Sequence, residues 1–370
     1  MIEHDAGYFL AARRCPNGRP VASFDSRSLD VAIEPDPVTG SAQWFHFRAF
    51  AREAVPIRIV NAAASSYPRG WSESIVWARH GSRRWTPVTA SYTDGMLSFS
   101  HVVPRATASY ALFPPFPFSR LARLAANVAA SSLGSSTTAV PEAGAACRLV
   151  LGDPDPAARQ IWIVCGQHGN EHPAIWFADG FVAALLERGS LPAGKRFHIV
   201  PVANPAGMKA GHLRTNSDGQ DPNRHWGVSD SPQCPEVRTL LDAMEATGVD
   251  LLIDVHTDFE MACVYLDVLE EWLETPPSLV AVREAFERGL ADRSPDVAFG
   301  RRYPWETPPR AEQLAGMCAP AIERRFGAAA ITLELPISRY RDGDDRRGIW
   351  TPRKSRALGR VAAEILLAES

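Results

Sequence analysis

No stretch of this chain approaches the ~20 consecutive apolar residues that a membrane span needs, although 45 % of its 370 residues are hydrophobic. A surplus of one charge sign is also missing. Lysine and arginine total 39 against 42 aspartates and glutamates, leaving a net charge of −3. That balance argues against a nucleic-acid partner, which calls for a basic excess or a basic stripe. Cysteine is sparse: Cys15, Cys147, Cys165, Cys234, Cys263 and Cys318 are scattered, and none forms a C-x-x-C pair. Free thiols in a reducing compartment are the expectation from that scatter. The opening MIEHDAGYFLAARRC has no basic segment followed by an apolar run. It therefore carries no visible secretory signal, and a cytoplasmic location is expected. No internal repeat is apparent.

What is present divides into two textures, and the length suits two domains of ordinary size. Residues 1 to 114 read as β. WFHFRAF (44–50), IRIVNAA (57–63), SIVWARH (74–80) and MLSFSHVV (96–103) alternate in polarity or are rich in β-branched and aromatic residues. Turn clusters at Tyr67-Pro68-Arg69-Gly70 and Thr93-Asp94-Gly95 separate them. Short strands at this spacing predict a small antiparallel sandwich. FPPFPF (113–118) cannot continue a sheet or a helix and marks a boundary.

From residue 115 to 370 the pattern changes. SRLARLAANVAASSL (119–133) has helical spacing. IWIVCG (161–166), FHIVPV (197–202), LLIDVH (251–256) and AAITLELP (329–336) are continuous apolar runs. Such runs fit strands buried on both faces. Helical patterns lie between them, from Pro173 to Glu187 and over PEVRTLLDAMEATG (235–248), with Gly248 as a stop. Strands alternating with helices predict an α/β domain with a mostly parallel sheet flanked by helices. SSLGSSTT (131–138) reads as an exposed loop.

Ligands in such sheets sit beyond the carboxyl ends of the strands. His168 lies just past IWIVCG, Glu171 follows it by three residues at a helix start, and His256 ends LLIDVH. Two imidazoles and a carboxylate form a catalytic zinc set that leaves a position for water. Alone the signal is weak. Ten histidines make one H-x-x-E by chance about as often as not, and a single histidine at a strand end is usually a polar cap. The joint placement at strand ends, with Glu334 on another such strand, is what points to a metal.

At these residues the chain resembles the zinc carboxypeptidases of the funnelin type. GQHGNEHPAIWFADGF (166–181) is similar to their first metal motif, and GHLRTNSDGQDPNRHW (211–226) to their substrate-binding segment. DLLIDVHTD (250–258) resembles the strand bearing the last metal histidine, and AAITLELP (329–336) the strand bearing the catalytic glutamate. Among relatives, the bacterial members of the cytosolic carboxypeptidase subfamily look most alike. They carry an extra N-terminal β-domain, which QWFHFRAF and IRIVNAAASSYPRGW resemble.

The resemblance implies one Zn2+ held by His168, Glu171 and His256. It implies Glu334 as general base and acid, and Arg214 as the cation stabilising an oxyanion. Arg224 with Asn223 would grip the terminal carboxylate of a peptide or protein, since a guanidinium fork matches a carboxylate in bidentate fashion. Asp221 would hold the outer nitrogen of a zinc histidine. Relatives in the cytosolic branch often remove acidic residues, so an acidic C-terminus is an implied substrate, with neither nucleic acid nor membrane as a partner.

Pro222 stands where the family usually has Leu, Thr257 where a Gly often follows the last histidine, and Gly169-Asn170-Glu171 where many relatives have Pro-Gly-Glu. The last variant resembles the related deacylase branch. An aspartoacylase- or succinylglutamate-desuccinylase-like deacylase of N-acyl amino acids is thus an alternative, and a non-catalytic metal-binding or interaction module is another. The family's active-site tyrosine has no evident counterpart. Tyr303 is the nearest tyrosine upstream of Glu334.

Overall fold

The computed structural model describes residues 28–51, 55–100, 106–136, 146–227, 234–267, 273–305, 307, 309–341 and 347–369. Of residues 1–27 it describes the strands Ile2–Glu3, Phe9–Leu10 and Arg19–Pro20. Two sheets occupy the first part of the chain. One has six strands in the order Ile2–Glu3, Phe9–Leu10, His46–Ala51, Ala106–Ala111, Ile75–His80, Thr86–Thr89. The other has five, in the order Arg19–Pro20, Leu29–Ala32, Pro56–Ile59, Met96–Ser100, Ser91–Thr93.

Alternation puts Phe47, Val76 and Tyr110 of the first sheet and Ile57, Ile59, Leu97 and Phe99 of the second into one buried core. The rings of Phe99 and Tyr110 meet across the layer with centroids 5.2 Å apart. One pairing departs from the expected antiparallel plan: Leu29–Ala32 runs parallel to Pro56–Ile59. The Tyr67–Gly70 segment is also more than a turn. It opens the 3-10 helix Pro68–Glu73, with proline at the first position, where no backbone N–H is required. Residues 101–103 of the fourth predicted strand, and Cys15, lie outside the described residues.

Phe118 begins a helix, Phe118–Ala130, directly after the proline cluster. Beyond it lies a seven-stranded sheet in the order Gly134–Ser136, Leu149–Gly152, Lys195–Val200, Arg159–Cys165, Leu251–Asp258, Ala329–Pro336, Tyr265–Asp267. The four central strands are parallel, and the flanking ones antiparallel. Gly134–Ser136 corrects the loop expected over 131–138. Its pairing with Leu149–Gly152 comes from a neighbour's edge, and strand formation depends on such context more than on composition.

Ile161, Ile163, Ile253, Ile331 and Leu333 face the helices His172–Glu187 and Pro352–Ala368 on one side. Trp162, Val164, Leu252 and Ala330 face Pro235–Thr247 and Cys318–Phe326 on the other. Apolar contact on both faces explains the unbroken hydrophobic runs. The helices His172–Glu187 and Pro352–Ala368 cross at backbone contact. A Cβ on Gly180 would sit 2.1 Å from the Arg356 carbonyl oxygen, and one on Gly359 would sit 2.1 Å from that of Phe177.

Five cysteines, Cys147, Cys165, Cys234, Cys263 and Cys318, are buried free thiols. Among the described residues no helix is long and apolar enough to cross a membrane.

Candidate metal and substrate site

The sheet register sets out the site as rows. His256 lies opposite Glu334 in the parallel ladder, and Tyr265 opposite Glu334 in the antiparallel one. Residues directly opposite share a sheet face, so His256, Glu334 and Tyr265 form a row. Two residues nearer the middle of the sheet, Asp254, Thr332 and Asp267 form a second row on the same face.

His168 and Glu171 arrive from the neighbouring strand. After Arg159–Cys165 the chain turns, with the Glu171 N–H donating to the His168 carbonyl at 3.1 Å. Glu171 immediately precedes the helix His172–Glu187, its side chain free of any capping bond and turned to the histidines. Gly169 is required by a close approach: a Cβ there would lie 2.2 Å from the Met208 nitrogen. Asn170 donates its side-chain amide to the His212 carbonyl, tying this turn to the segment before Arg214.

The three side chains converge. His168 Nδ1 is 2.7 Å from Glu171 Oε1, and His256 Nδ1 is 3.0 Å from Glu171 Oε2. One ligand atom from each lies within 4.8 Å of the others, and all three residues are buried. The outer nitrogens are also taken. His168 Nε2 is 3.1 Å from Asp221 Oδ1, and His256 Nε2 is 3.0 Å from Asp254 Oδ2. In the neutral tautomer whose Nε2–H donates to the outer carboxylate, each Nδ1 would present a lone pair toward Glu171. Paired imidazoles oriented by outer carboxylates, facing a buried carboxylate, suit a divalent cation.

Burial opposes charge on Glu171, but His168 and His256 outweigh it and hold its carboxyl at about 2. Burial likewise disfavours a charged His256, yet Asp254 and Glu171 lift that imidazole well above its ordinary value. Gln167 fixes Asp254, donating Nε2 to its Oδ1 at 2.7 Å while accepting from Trp226 Nε1 at 2.7 Å.

Glu334 is half-buried in the same row; its Oε2 atom is buried and has no hydrogen-bond partner among the described residues. Burial raises its carboxyl well above the usual range. His256 opposes this, and the neighbouring carboxylates Glu171, Asp258 and Asp267 reinforce it.

The two arginines sit on loops held in different ways. Arg214 donates Nε to Asp221 Oδ2 at 3.0 Å and Nη1 to the Tyr67 hydroxyl at 2.8 Å. Its backbone is clamped from far away in sequence. The carboxylate of buried Asp36 accepts the N–H groups of Leu213, Arg214 and Thr215 at 2.6, 2.8 and 3.0 Å, and the Thr215 hydroxyl at 3.2 Å. Tyr67 stacks on Phe259, centroids 5.3 Å apart and planes 3° from parallel.

Asn223 and Arg224 lie in the 3-10 turn Pro222–Arg224, which Asp221 caps by accepting the Asn223 N–H at 3.0 Å. Pro222 takes the first position of that turn and needs no N–H there, so the departure from leucine is absorbed. Asn223 Oδ1 accepts from the Cys318 N–H at 2.8 Å, and Arg224 Nη1 donates to the Asn223 carbonyl at 2.6 Å.

A cleft of about 300 Å³ joins these groups. His168, Glu171, His256, Glu334, Arg214, Asn223 and Arg224 all line it, and Asp221 stands behind His168 and Arg214. Tyr303 lines it as well, burial pushing its phenol up to about 12. Sequence reasoning missed Asp36, Tyr67, Asp254, Gln167, Tyr265 and Asp267. Of these only Asp254 left a readable signal: it precedes His256 by two residues on one strand, hence on one face.

Comparison with known proteins accords with this geometry. The family profile described as the cytosolic carboxypeptidase N-terminal domain matches residues 15–113. That of the succinylglutamate desuccinylase/aspartoacylase catalytic domain matches residues 157–303. The crystal structure of a metallo-carboxypeptidase from Burkholderia cenocepacia superposes with a TM-score of 0.86 at 26 % identity, covering 97 % of this chain and 98 % of that one. Over nearly its whole length this chain is similar to metallo-carboxypeptidases. A second metallo-carboxypeptidase, from Pseudomonas aeruginosa, was solved in complex with (2-guanidinoethylmercapto)succinic acid. It gives a TM-score of 0.85 at 28 % identity, with 97 % and 98 % of the two chains covered. An uncharacterized protein of Zymomonas mobilis is 29 % identical over 359 residues, 94 % of this chain and 92 % of that protein.

Proposed function

We propose that this carboxypeptidase homologue is a zinc-dependent, cytoplasmic enzyme that removes C-terminal amino acids from peptides or proteins. We assign residues 1–114 to an N-terminal β-sandwich domain and 115–370 to the catalytic domain. The observation that carries the reading is one cleft holding a three-ligand cluster, two arginines and the carboxylate of half-buried Glu334, whose Oε2 has no hydrogen-bond partner among the described residues.

His168, Glu171 and His256 would hold one Zn2+, which when bound polarises a carbonyl and acidifies water. Glu334 accepts a proton from the attacking water and delivers it to the leaving amine. Its raised proton affinity suits the delivery step, because a group matched to both transfers works best near its own pKa. Arg214, already oriented by Asp221 and Tyr67, stabilises the charge that develops on the scissile carbonyl oxygen. Arg224 and Asn223 bind the terminal carboxylate, which restricts cleavage to the last residue. Asp221 and Asp254 keep the two imidazoles in the tautomer that faces Glu171.

The test is release of free amino acid from a mixed peptide library by the zinc-loaded protein. Release is expected, is abolished by removing the metal with a chelator and returns when zinc is restored. The succinylglutamate desuccinylase/aspartoacylase match over residues 157–303, together with Gly169-Asn170-Glu171, supports a second reading as a deacylase of N-acyl amino acids. Hydrolysis of N-acetyl- or N-succinyl-amino acids without peptide cleavage would reverse the order.

A further inference from the structure

We infer that the outer face of the six-stranded sheet binds an acidic segment of another protein, at Arg48, Arg79, Arg83 and Arg84. The inference is independent of the carboxypeptidase reading, since none of the four lines the catalytic cleft. Residues 41–51, 74–93 and 106–111 hold the strands His46–Ala51, Ile75–His80, Thr86–Thr89 and Ala106–Ala111, and contain no aspartate or glutamate. The whole chain has 42 acidic residues against 39 lysines and arginines, so the imbalance is local. Ser109 lies opposite Arg48 on one side and Arg79 on the other. Residues directly opposite share a face, so the two arginines stand about 10 Å apart, two strand spacings, with a small side chain between them. Phe47, Val76 and Tyr110 of the same strands fill the core, so this face points outward. The turn after His80, closed by the Arg83 N–H on the His80 carbonyl at 3.1 Å, carries Arg83 and Arg84 at the end of that strand.

These charges are not neutralised within the chain. Elsewhere in the β-rich part, Arg58 pairs with Asp30 at 2.7 Å and Arg69 with Glu260 at 3.1 Å. Among the described residues none of the four has a carboxylate partner, and Arg48, Arg83 and Arg84 are exposed. Burial, and then the charge of Arg79, hold His46 down at about 4, so it stays neutral beside them. Guanidinium forks match carboxylates in bidentate fashion. Side chains on one face of an extended polypeptide repeat every ~7 Å, and flexible glutamates or aspartates at that spacing can reach arginines set about 10 Å apart. A single-stranded nucleic acid would call for an aromatic ring free to stack on a base. Trp85 is already engaged: the Arg79 guanidinium lies 4.8 Å from its centroid, and the His46 ring 5.8 Å away. The face therefore suits an acidic polypeptide.

The probe is a dye-labelled dodecaglutamate with an amidated C-terminus, titrated with the full chain and read by fluorescence polarisation. The amide leaves no terminal carboxylate for the cleft to grip. Binding is expected at low salt and should weaken as ionic strength rises. Exposed charge pairs are individually weak, so reversing two of them in Arg48→Glu/Arg83→Glu should raise Kd about tenfold. The control Arg123→Glu/Arg188→Glu changes the net charge equally, at exposed arginines outside this sheet. It should raise Kd by less than about twofold, because distant charges are screened.

No binding, binding unchanged by the first pair of reversals, or an equal loss from both pairs overturns the inference. So does tighter binding of an oligouridylate of equal length, which would mark the face as a nucleic-acid surface. Equal thermal midpoints show that both double variants keep the fold. If Arg48→Glu/Arg83→Glu unfolds, the milder Arg48→Gln/Arg83→Gln should still raise Kd about threefold, and an unchanged Kd there overturns the inference as well.

Discussion

Two parts of the chain build one cleft by different means. The seven-stranded sheet contributes His256 and Glu334, which register sets side by side, and the turn that follows the strand Arg159–Cys165 brings His168 and Glu171 to them. The β-rich first part contributes two side chains that touch neither the metal cluster nor Glu334. Asp36 holds the backbone of residues 213–215, and Tyr67 accepts from the Arg214 guanidinium. On the proposed reading, one part supplies the reacting groups, and the other sets the position of the arginine that would serve them. The two also share a continuous core, running from Val31 and Trp44 through Phe113 to Ile163 and Leu333. Removing residues 1–114 would therefore destroy packing and positioning together, and point variants are the way to separate them.

The largest effect belongs to the sheet. Glu334→Gln should lower kcat by about a thousandfold or more, on the scale of a lost general acid–base, while elemental analysis finds zinc still bound. Full activity in that variant would remove Glu334 from the chemistry and blur the contrast between the two parts.

Asp36→Asn comes next. It leaves consecutive buried N–H groups without their carboxylate and should cost about 2–3 kcal/mol of stability, read as a lower thermal midpoint. Loosening Arg214 should also cut kcat about tenfold or more, since small displacements of a catalytic group are expensive. A lower midpoint with unchanged kcat would make the first part a scaffold and nothing else. Tyr67→Phe is the mildest. Losing one neutral hydrogen bond to Arg214 should reduce kcat/KM about fivefold, with the thermal midpoint nearly unchanged.

The same contrast explains what could be read from the sequence. Strands buried on both faces announce themselves as unbroken apolar runs, so the parallel sheet and its strand-end His256 and Glu334 were legible. His168 and Glu171 were legible for the same reason, as polar residues immediately past such a run. Asp36 and Tyr67 were not. They act across 177 and 147 residues of sequence separation, and no periodicity links an aspartate on one loop to the amides of another. Asp267 was hidden differently. Its strand, Tyr265–Asp267, spans three residues, too few for any alternation to register. The edge strand Gly134–Ser136 looked like a loop because Gly and Ser carry no strand preference, and its partner alone makes it a strand.

The antiparallel pairing of Tyr265–Asp267 with Ala329–Pro336 has one more consequence, for how such a cleft can evolve. Side chains alternate between faces, so sliding this strand by a single position would turn Asp267 into the helix layer and expose Leu266 to substrate. Depth can change only in steps of two residues, each about 7 Å. A related chain could therefore change the cleft wall at this depth by exchanging the side chains at 267 and 332, with the backbone left where it is.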